Sequence, residues 1–429
     1  MSRQLGLGLD FGTSGARACV IAPGGEIEEL IRLDFGALAS HEQASAWAAA
    51  LFDLLGQLPI GLRRRLAAVA LDGTSGTVLA CDADLGVLHS PLAYDDARAA
   101  AEAAEIAALA GAEHPCASAS SGLAKVRWLQ GRLARPAAFY LNQADWLTAQ
   151  LADLAALPGA RPTSDGHNAL KLGFDPAAQA WPDWLPGLVA PERLPRVLTP
   201  GSAVAVVRRD LARRFALPAD CLVRAGTTDS IAAFLASGAR LPGEAVTSLG
   251  TTLVLKLVSR KAVNAAAQGI YSHWFGAYWL AGGASNAGGG VLAEYFDARR
   301  LAELSARIDP ACASGLDYYP LRKAGERFPL NDPALPPRLT PRPADDAEFL
   351  HGLLEGLARI EALGYRRLAE LGADPPRRVL SAGGGAGNPV YQAIRQRLLG
   401  VPVAISPQQE AAYGSARLAQ AGTAIFPGP

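Results

Sequence analysis

The chain has 429 residues, half of them hydrophobic and 19% charged, with 40 basic residues against 40 acidic ones. That length exceeds a single core and suits two domains of about 200 residues each. The charge balance excludes a global field that would recruit nucleic acid or an acidic membrane surface. Cys19, Cys81, Cys116, Cys221 and Cys312 are scattered, odd in number and without C-x-x-C spacing, which argues against a disulfide framework or zinc site and for a reducing cytoplasm. The N-terminus runs straight into a strand pattern, so no targeting leader is expected.

In chain order, residues 5–33 alternate apolar runs with turns at Gly12–Gly15 and Pro23-Gly24-Gly25, which predicts three antiparallel strands. A helix is expected over about 42–57, with Trp47, Leu51, Leu54 and Leu55 at helical spacing. Leu66–Leu71 reads as a buried strand ending in Asp72-Gly73-Thr74-Ser75-Gly76-Thr77, and a short strand over 77–81 follows. Helices are expected over 96–110 and through most of 121–157, and a loop-dominated excursion over 158–200. A strand near 221–225 meets Gly226-Thr227-Thr228-Asp229 and a helix over 230–237.

Leu241-Pro242-Gly243 is the natural boundary, dividing the chain into 1–241 and 242–429. Beyond it the opening pattern repeats as strand, Gly250-Thr251-Thr252 turn and strand. Further strands are expected around 270–280, and long helices over 287–308 and 345–371. The stretch between Lys261 and Glu294 is poor in charge, but Gln268, Ser272, Ser285, Asn286 and its glycines break it too often for a membrane span. A strand at 379–381 then runs into Gly383-Gly384-Gly385, with a helix over 389–399.

The two turns, Asp10-Phe11-Gly12-Thr13-Ser14 and Gly250-Thr251-Thr252, each offer bare backbone N–H groups and hydroxyls to an anion. Their equivalent places in two halves suggest a duplicated scaffold holding one polyphosphate. A P-loop is excluded because none of the five lysines follows a glycine, and Gly6-Leu7-Gly8 lacks the third glycine of a dinucleotide fingerprint. Read alone, either turn is an ordinary glycine-bearing hairpin, Asp229 is a helix cap and Asp10 an Asx turn. The histidines show no ligand spacing.

At these motifs the sequence resembles the FGGY carbohydrate kinases of the actin-like ATPase superfamily, over residues from Leu5 to about Ala419. The shared features are the first phosphate turn, Tyr94-Asp95-Asp96-Ala97-Arg98, Gly226–Asp229, the second turn and Gly383-Gly384-Gly385-Ala386-Gly387-Asn388-Pro389. Within the family it looks nearest to D-ribulokinases and the plant and cyanobacterial xylulokinase-like subgroup. Asp72-Gly73-Thr74 stands where bacterial xylulokinases carry Met-His-Gly, and Tyr94 replaces a tryptophan.

The resemblance implies an α/β, duplicated ribonuclease H-like fold, with two domains around a central cleft. It implies an ATP- and Mg²⁺-dependent kinase of a ketopentose, D-ribulose first and D-xylulose or another ketose or polyol second. Its partners would be a small sugar and ATP, with no nucleic acid or membrane, in a monomer or homodimer. Asp229 would be the catalytic base, and Asp10, Ser75 and Asp229 would hold the sugar. Gly12, Thr13, Ser14, Gly250, Thr251, Thr252, Gly384, Gly385 and Asn388 would hold the nucleotide, with Asp10 reaching the metal through water. Asp96 and Arg98 could touch sugar or form an ion pair. An actin-like ATPase switch without a sugar substrate is the alternative of another class.

Overall fold

The computed structural model describes residues 4–36 and 41–428. They form two compact units, Met1–Ala236 with Glu410–Phe426, and Ser237–Gln409 with Pro427–Pro429. The chain therefore leaves the first unit close to the Leu241-Pro242-Gly243 break but, unlike a single boundary there, returns to it through its last helix.

In the first unit, β1 (Leu5–Phe11), β2 (Gly15–Ile21) and β3 (Ile27–Asp34) make the expected antiparallel meander. Helices α1 (Gln43–Gln57) and α2 (Ile60–Arg63) lead into β4 (Leu66–Gly73), which pairs parallel to β1. Then come β5 (Val78–Cys81), α3 (Ala100–Ala110), α4 (Gly122–Gln130), β6 (Phe139–Asn142) and α5 (Gln143–Leu151).

Strand β6 corrects the helical reading of 121–157. Pro136 stops any helix from α4, and Phe139-Tyr140-Leu141 is a β-prone run that pairs antiparallel with β5. Short elements carry the chain onward: β7 (Thr163–Asp165), α6 (Gly166–Ala169), β8 (Arg196–Leu198), β9 (Ala203–Val206), α7 (Arg209–Phe215), β10 (Leu222–Arg224), β11 (Thr227–Thr228) and α8 (Asp229–Ser237). The main sheet has the order β3-β2-β1-β4-β10-β9, with β11 also on β4.

The second unit contains β12 (Glu244–Leu249), β13 (Leu253–Ser259), β14 (Tyr271–Phe275), β15 (Tyr278–Ala284), α9 (Gly289–Leu292), α10 (Ala298–Ser305), α11 (Asp346–Glu370), β16 (Arg378–Ala382), α12 (Pro389–Leu399) and β17 (Val403–Ile405). The long helix expected over 287–308 is two short ones, because Asp297 accepts the Arg300 N–H at 2.7 Å and caps a fresh start. The sheet order is β14-β15-β13-β12-β16-β17, with β12 parallel to β16.

Each sheet therefore repeats one plan: an antiparallel hairpin whose first strand also pairs in parallel with a strand that ends in a glycine-bearing loop. This is the duplicated α/β fold expected from the motifs. The last helix, α13 (Ala411–Ala421), lies on β1 in the first unit, where a Cβ at Gly8 would sit 2.0 Å from the Ala412 carbonyl oxygen. Only glycine permits that approach. Among the described residues, no helix is long and apolar enough to cross a membrane.

Two carboxyl groups are buried near the start of α5. Asp145 Oδ2 accepts from the Asn142 backbone N–H at 3.0 Å and its side-chain amide at 2.8 Å. Asp165 accepts from the His167 and Asn168 backbone and from the Asn168 amide. Burial pushes Asp145 up to about 8, with the Asp165 charge adding to it. Burial also raises Asp165, to about 6, against its hydrogen bonds.

Unfolded carboxyls titrate near about 4, so the folded chain keeps protons that the unfolded chain has released. Stability should then fall as pH rises from about 4 to about 8, by up to about 1.4 kcal/mol per pH unit for each proton. Thermal unfolding of the wild type is expected to show a declining midpoint between about pH 5.5 and about pH 8.5, and Asp145→Asn should flatten it. Parallel pH curves for the two proteins would refute this.

Candidate active site

The site in the first unit is built by strand register. Asp10 stands opposite Arg17 on β2 and opposite Asp72 on β4, so one antiparallel and one parallel neighbour bring a guanidinium and a second carboxyl to it. Arg17 Nη1 donates to Asp10 Oδ2 at 2.8 Å. Asp72 is fully buried, and its Oδ2 accepts from the Ser415 hydroxyl of α13 at 2.5 Å. Asp72 Oδ1 is buried without a hydrogen-bond partner.

Burial, then the neighbouring Asp10 charge, pushes the Asp72 carboxyl well above the usual range; the Asp229 charge adds to this and the Ser415 hydroxyl opposes it. Asp229 opens α8, and its Oδ1 accepts the Ser230 N–H at 2.6 Å. Its approach to β4 depends on Gly226, where a Cβ would lie 2.1 Å from the Leu71 carbonyl oxygen. The structure thus brings Asp10, Asp72 and Asp229 together, a cluster in which Asp72 is favoured as the neutral acid.

Ser75 lies in the loop after β4. Its hydroxyl is buried and has no hydrogen-bond partner, a costly arrangement unless a ligand completes it. The surrounding loop is tightly held. Thr74 bonds Gln143 Oε1 through both its N–H and its hydroxyl, each at 2.9 Å. Lys171 donates to the Ser75 carbonyl at 3.2 Å. Lys125, fully buried, donates to the carbonyls of Gly76 and Ala93 at 2.9 and 2.6 Å, and burial, then Lys171, pulls its amine down to about 8. Asp96 and Arg98 form an ion pair at 2.8 Å, with the guanidinium 5.1 Å from the Trp128 ring centre.

Both predicted turns are hairpin turns, β1 to β2 and β12 to β13, and Thr13, Ser14 and Thr251 are exposed. A Cβ at Gly12 or Gly250 would come no nearer than 3.7 Å to any atom beyond its chain neighbours, and one at Gly384 would meet nothing within 4 Å. Internal packing therefore does not demand glycine at these three places. What it leaves is room for a ligand to lie against the backbone.

In the second unit, Gly384, Gly385 and Asn388 line a cavity of about 400 Å³ with Leu249, Leu301 and Ala302. Asn388 Oδ1 accepts the N–H groups of Val390 and Tyr391, and its Nδ2 donates to the Ser305 hydroxyl at 2.9 Å. The side chain expected to contact base or ribose is thus engaged as the cap of α12, though it borders the cavity. Among the described residues, no group of three or more His, Cys, Asp or Glu is placed to hold a metal ion. A magnesium ion arriving on a triphosphate and meeting Asp10 through water needs no such cage, and the carboxylate chemistry fits it.

Sequence reasoning missed Arg17 and Ser415 as partners of the carboxylates. The alternation of the β1–β2 hairpin could have found Arg17; Ser415 lies 343 residues from Asp72, beyond any local signal.

Residues 245–422 match the sequence model of the FGGY family of carbohydrate kinases, C-terminal domain. The whole fold is similar to a xyloylose kinase from Brucella ovis, 21% identical over 99% of this chain and 93% of that one, with a TM-score of 0.86. It is also similar to a xylulose kinase from Rhodospirillum rubrum, at 22% identity over 98% and 90% with a TM-score of 0.82. A Plasmodium falciparum glycerol kinase with ADP is 15% identical over 99% and 91%, with a TM-score of 0.82. The fold is that of these sugar kinases. The second half of the chain carries the FGGY C-terminal domain.

Proposed function

We propose that the protein phosphorylates a ketopentose with ATP, D-ribulose to D-ribulose 5-phosphate being the leading reaction. The observation that carries this reading is the convergence of Asp10, Asp72 and Asp229 beside the rigid loop that holds the unpartnered Ser75 hydroxyl. Phosphoryl transfer asks a protein mainly for positioning and charge management. Asp10, Ser75 and Asp229 would hold sugar hydroxyls, and the amides and hydroxyls of the two turns would hold the phosphates. The sugar hydroxyl oxygen bonds to the γ-phosphorus as the bond to the β-phosphate bridging oxygen breaks; its proton passes to Asp229 and ADP leaves. Magnesium, reaching Asp10 through water, would neutralise phosphate charge. In this assignment the first unit carries the sugar, phosphate and base groups and the second unit the nucleotide cavity.

D-xylulose is the second candidate, favoured by the xylulose kinase from Rhodospirillum rubrum among similar folds. The test is ADP release over a panel of ketopentoses, aldoses, polyols and glycerol, with and without magnesium. Turnover confined to one ketopentose is expected. Sugar-independent hydrolysis of ATP, unchanged in Asp229→Ala, would instead identify a nucleotide-driven switch.

A further inference from the structure

We propose that the nucleotide cavity of the second unit does not distinguish adenine from 6-oxopurines, so that the phosphoryl donor is a purine nucleoside triphosphate rather than ATP alone. This rests on the kinase reading above and concerns the same site. Around the cavity the side chains are Leu249, Leu253, Leu292, Leu301, Leu354 and smaller apolar groups, and only Ser305, Asn388 and Tyr391 carry polar side-chain atoms.

Adenine and guanine or hypoxanthine differ at the six-position edge: adenine presents an amino donor beside a ring acceptor, and the 6-oxopurines present the reverse. An amide reads that difference well, because its oxygen only accepts and its nitrogen only donates. Here the oxygen of the one amide is engaged twice and one of its two N–H groups is given away. Asn388 Oδ1 takes two backbone N–H groups of α12, and Nδ2 is given to Ser305 Oγ. Turning it toward a base would uncap α12.

Both remaining polar groups are hydroxyls. Ser305 Oγ accepts from Asn388 and still has its own proton to place, and the buried Tyr391 hydroxyl has no hydrogen-bond partner. A hydroxyl rotates to donate or to accept, so neither group penalises one purine edge over the other. Strong discrimination requires a buried polar group that the wrong ligand leaves unpaired; the second N–H of Asn388 is a fixed donor, but adenine and guanine alike offer it the N7 acceptor. The apolar walls recognise a flat purine by burial, which the purines share.

The test has two arms on the full-length wild-type protein. Binding of ADP, GDP and IDP is measured by calorimetry without sugar, and phosphoryl transfer to the best sugar of the panel is measured with ATP, GTP and ITP. Dissociation constants within about tenfold of one another, and kcat/KM values within about tenfold, are the expected result. A preference for the adenine nucleotide beyond that in binding overturns the inference, whatever the transfer arm gives. Similar binding of all three diphosphates with no transfer from any triphosphate would uphold base tolerance while refuting the kinase reading. Asp229→Asn serves as the control in the transfer arm, since it should remove turnover with every donor and leave diphosphate binding as it was.

Discussion

Asp229→Asn is expected to lower kcat for the sugar by about 10²- to 10⁴-fold, the usual contribution of a positioned general base. Asparagine retains the side-chain oxygen that accepts the Ser230 N–H at 2.6 Å, so the start of α8 should keep its capping contact. The unfolding midpoint should therefore stay within a few degrees of wild type. What is removed is the acceptor for the sugar proton. Burial and the Asp10 charge favour the neutral form of the Asp72 carboxyl. Coupled ADP release and a thermal melt on the same preparation check both halves. A kcat within about threefold of wild type would remove Asp229 from the chemistry, because no base worth assigning contributes so little. A large loss of activity matched by a large loss of stability would make it a structural cap.

The hairpins at Gly12–Ser14 and Gly250–Thr252 were legible because a glycine and small hydroxyl residues interrupt two apolar runs, a wholly local signal. Asp10 and Asp229 were legible for the same reason, each sitting at the edge of such a run. Strand β6 was not: four residues between two helical patterns do not establish a period of their own, and its pairing with β5 depends on residues some sixty positions earlier. The membership of α13 in the first unit was equally hidden, since it is fixed by close contact with Gly8 far back in the chain. Asn388 shows a subtler limit. Its position in the glycine motif was readable, but its two capping bonds and the bond to Ser305 reassign its polar atoms. Which side of a loop an amide serves depends on tertiary contacts alone.

Removing Glu361 should strongly destabilise the second unit, and no sequence motif marks this residue. Glu361 and Arg395 are both fully buried. The guanidinium donates to the two carboxylate oxygens at 2.6 and 2.7 Å and to Ser381 Oγ at 2.5 Å. Thr247 Oγ1 donates to Glu361 Oε1 at 2.5 Å and lies 2.8 Å from the Tyr365 hydroxyl. One ion pair thereby joins α11 and α12 to β12 and β16, the strands that lead into the Gly250 turn and the Gly383–Gly385 loop. Glu361→Ala leaves an uncompensated buried guanidinium and should cost about 3–5 kcal/mol, a large share of a typical domain's stability. Glu361→Gln keeps an acceptor for Thr247 and should cost less. The double change Glu361→Leu with Arg395→Met replaces the pair by apolar groups of similar bulk and should regain most of the loss. Urea unfolding followed in parallel with ADP affinity separates these cases. A double variant no more stable than Glu361→Ala would mean that packing volume, rather than the unpaired charge, sets the cost. A Glu361→Ala protein with wild-type stability would show that the network carries no weight in holding the two strands.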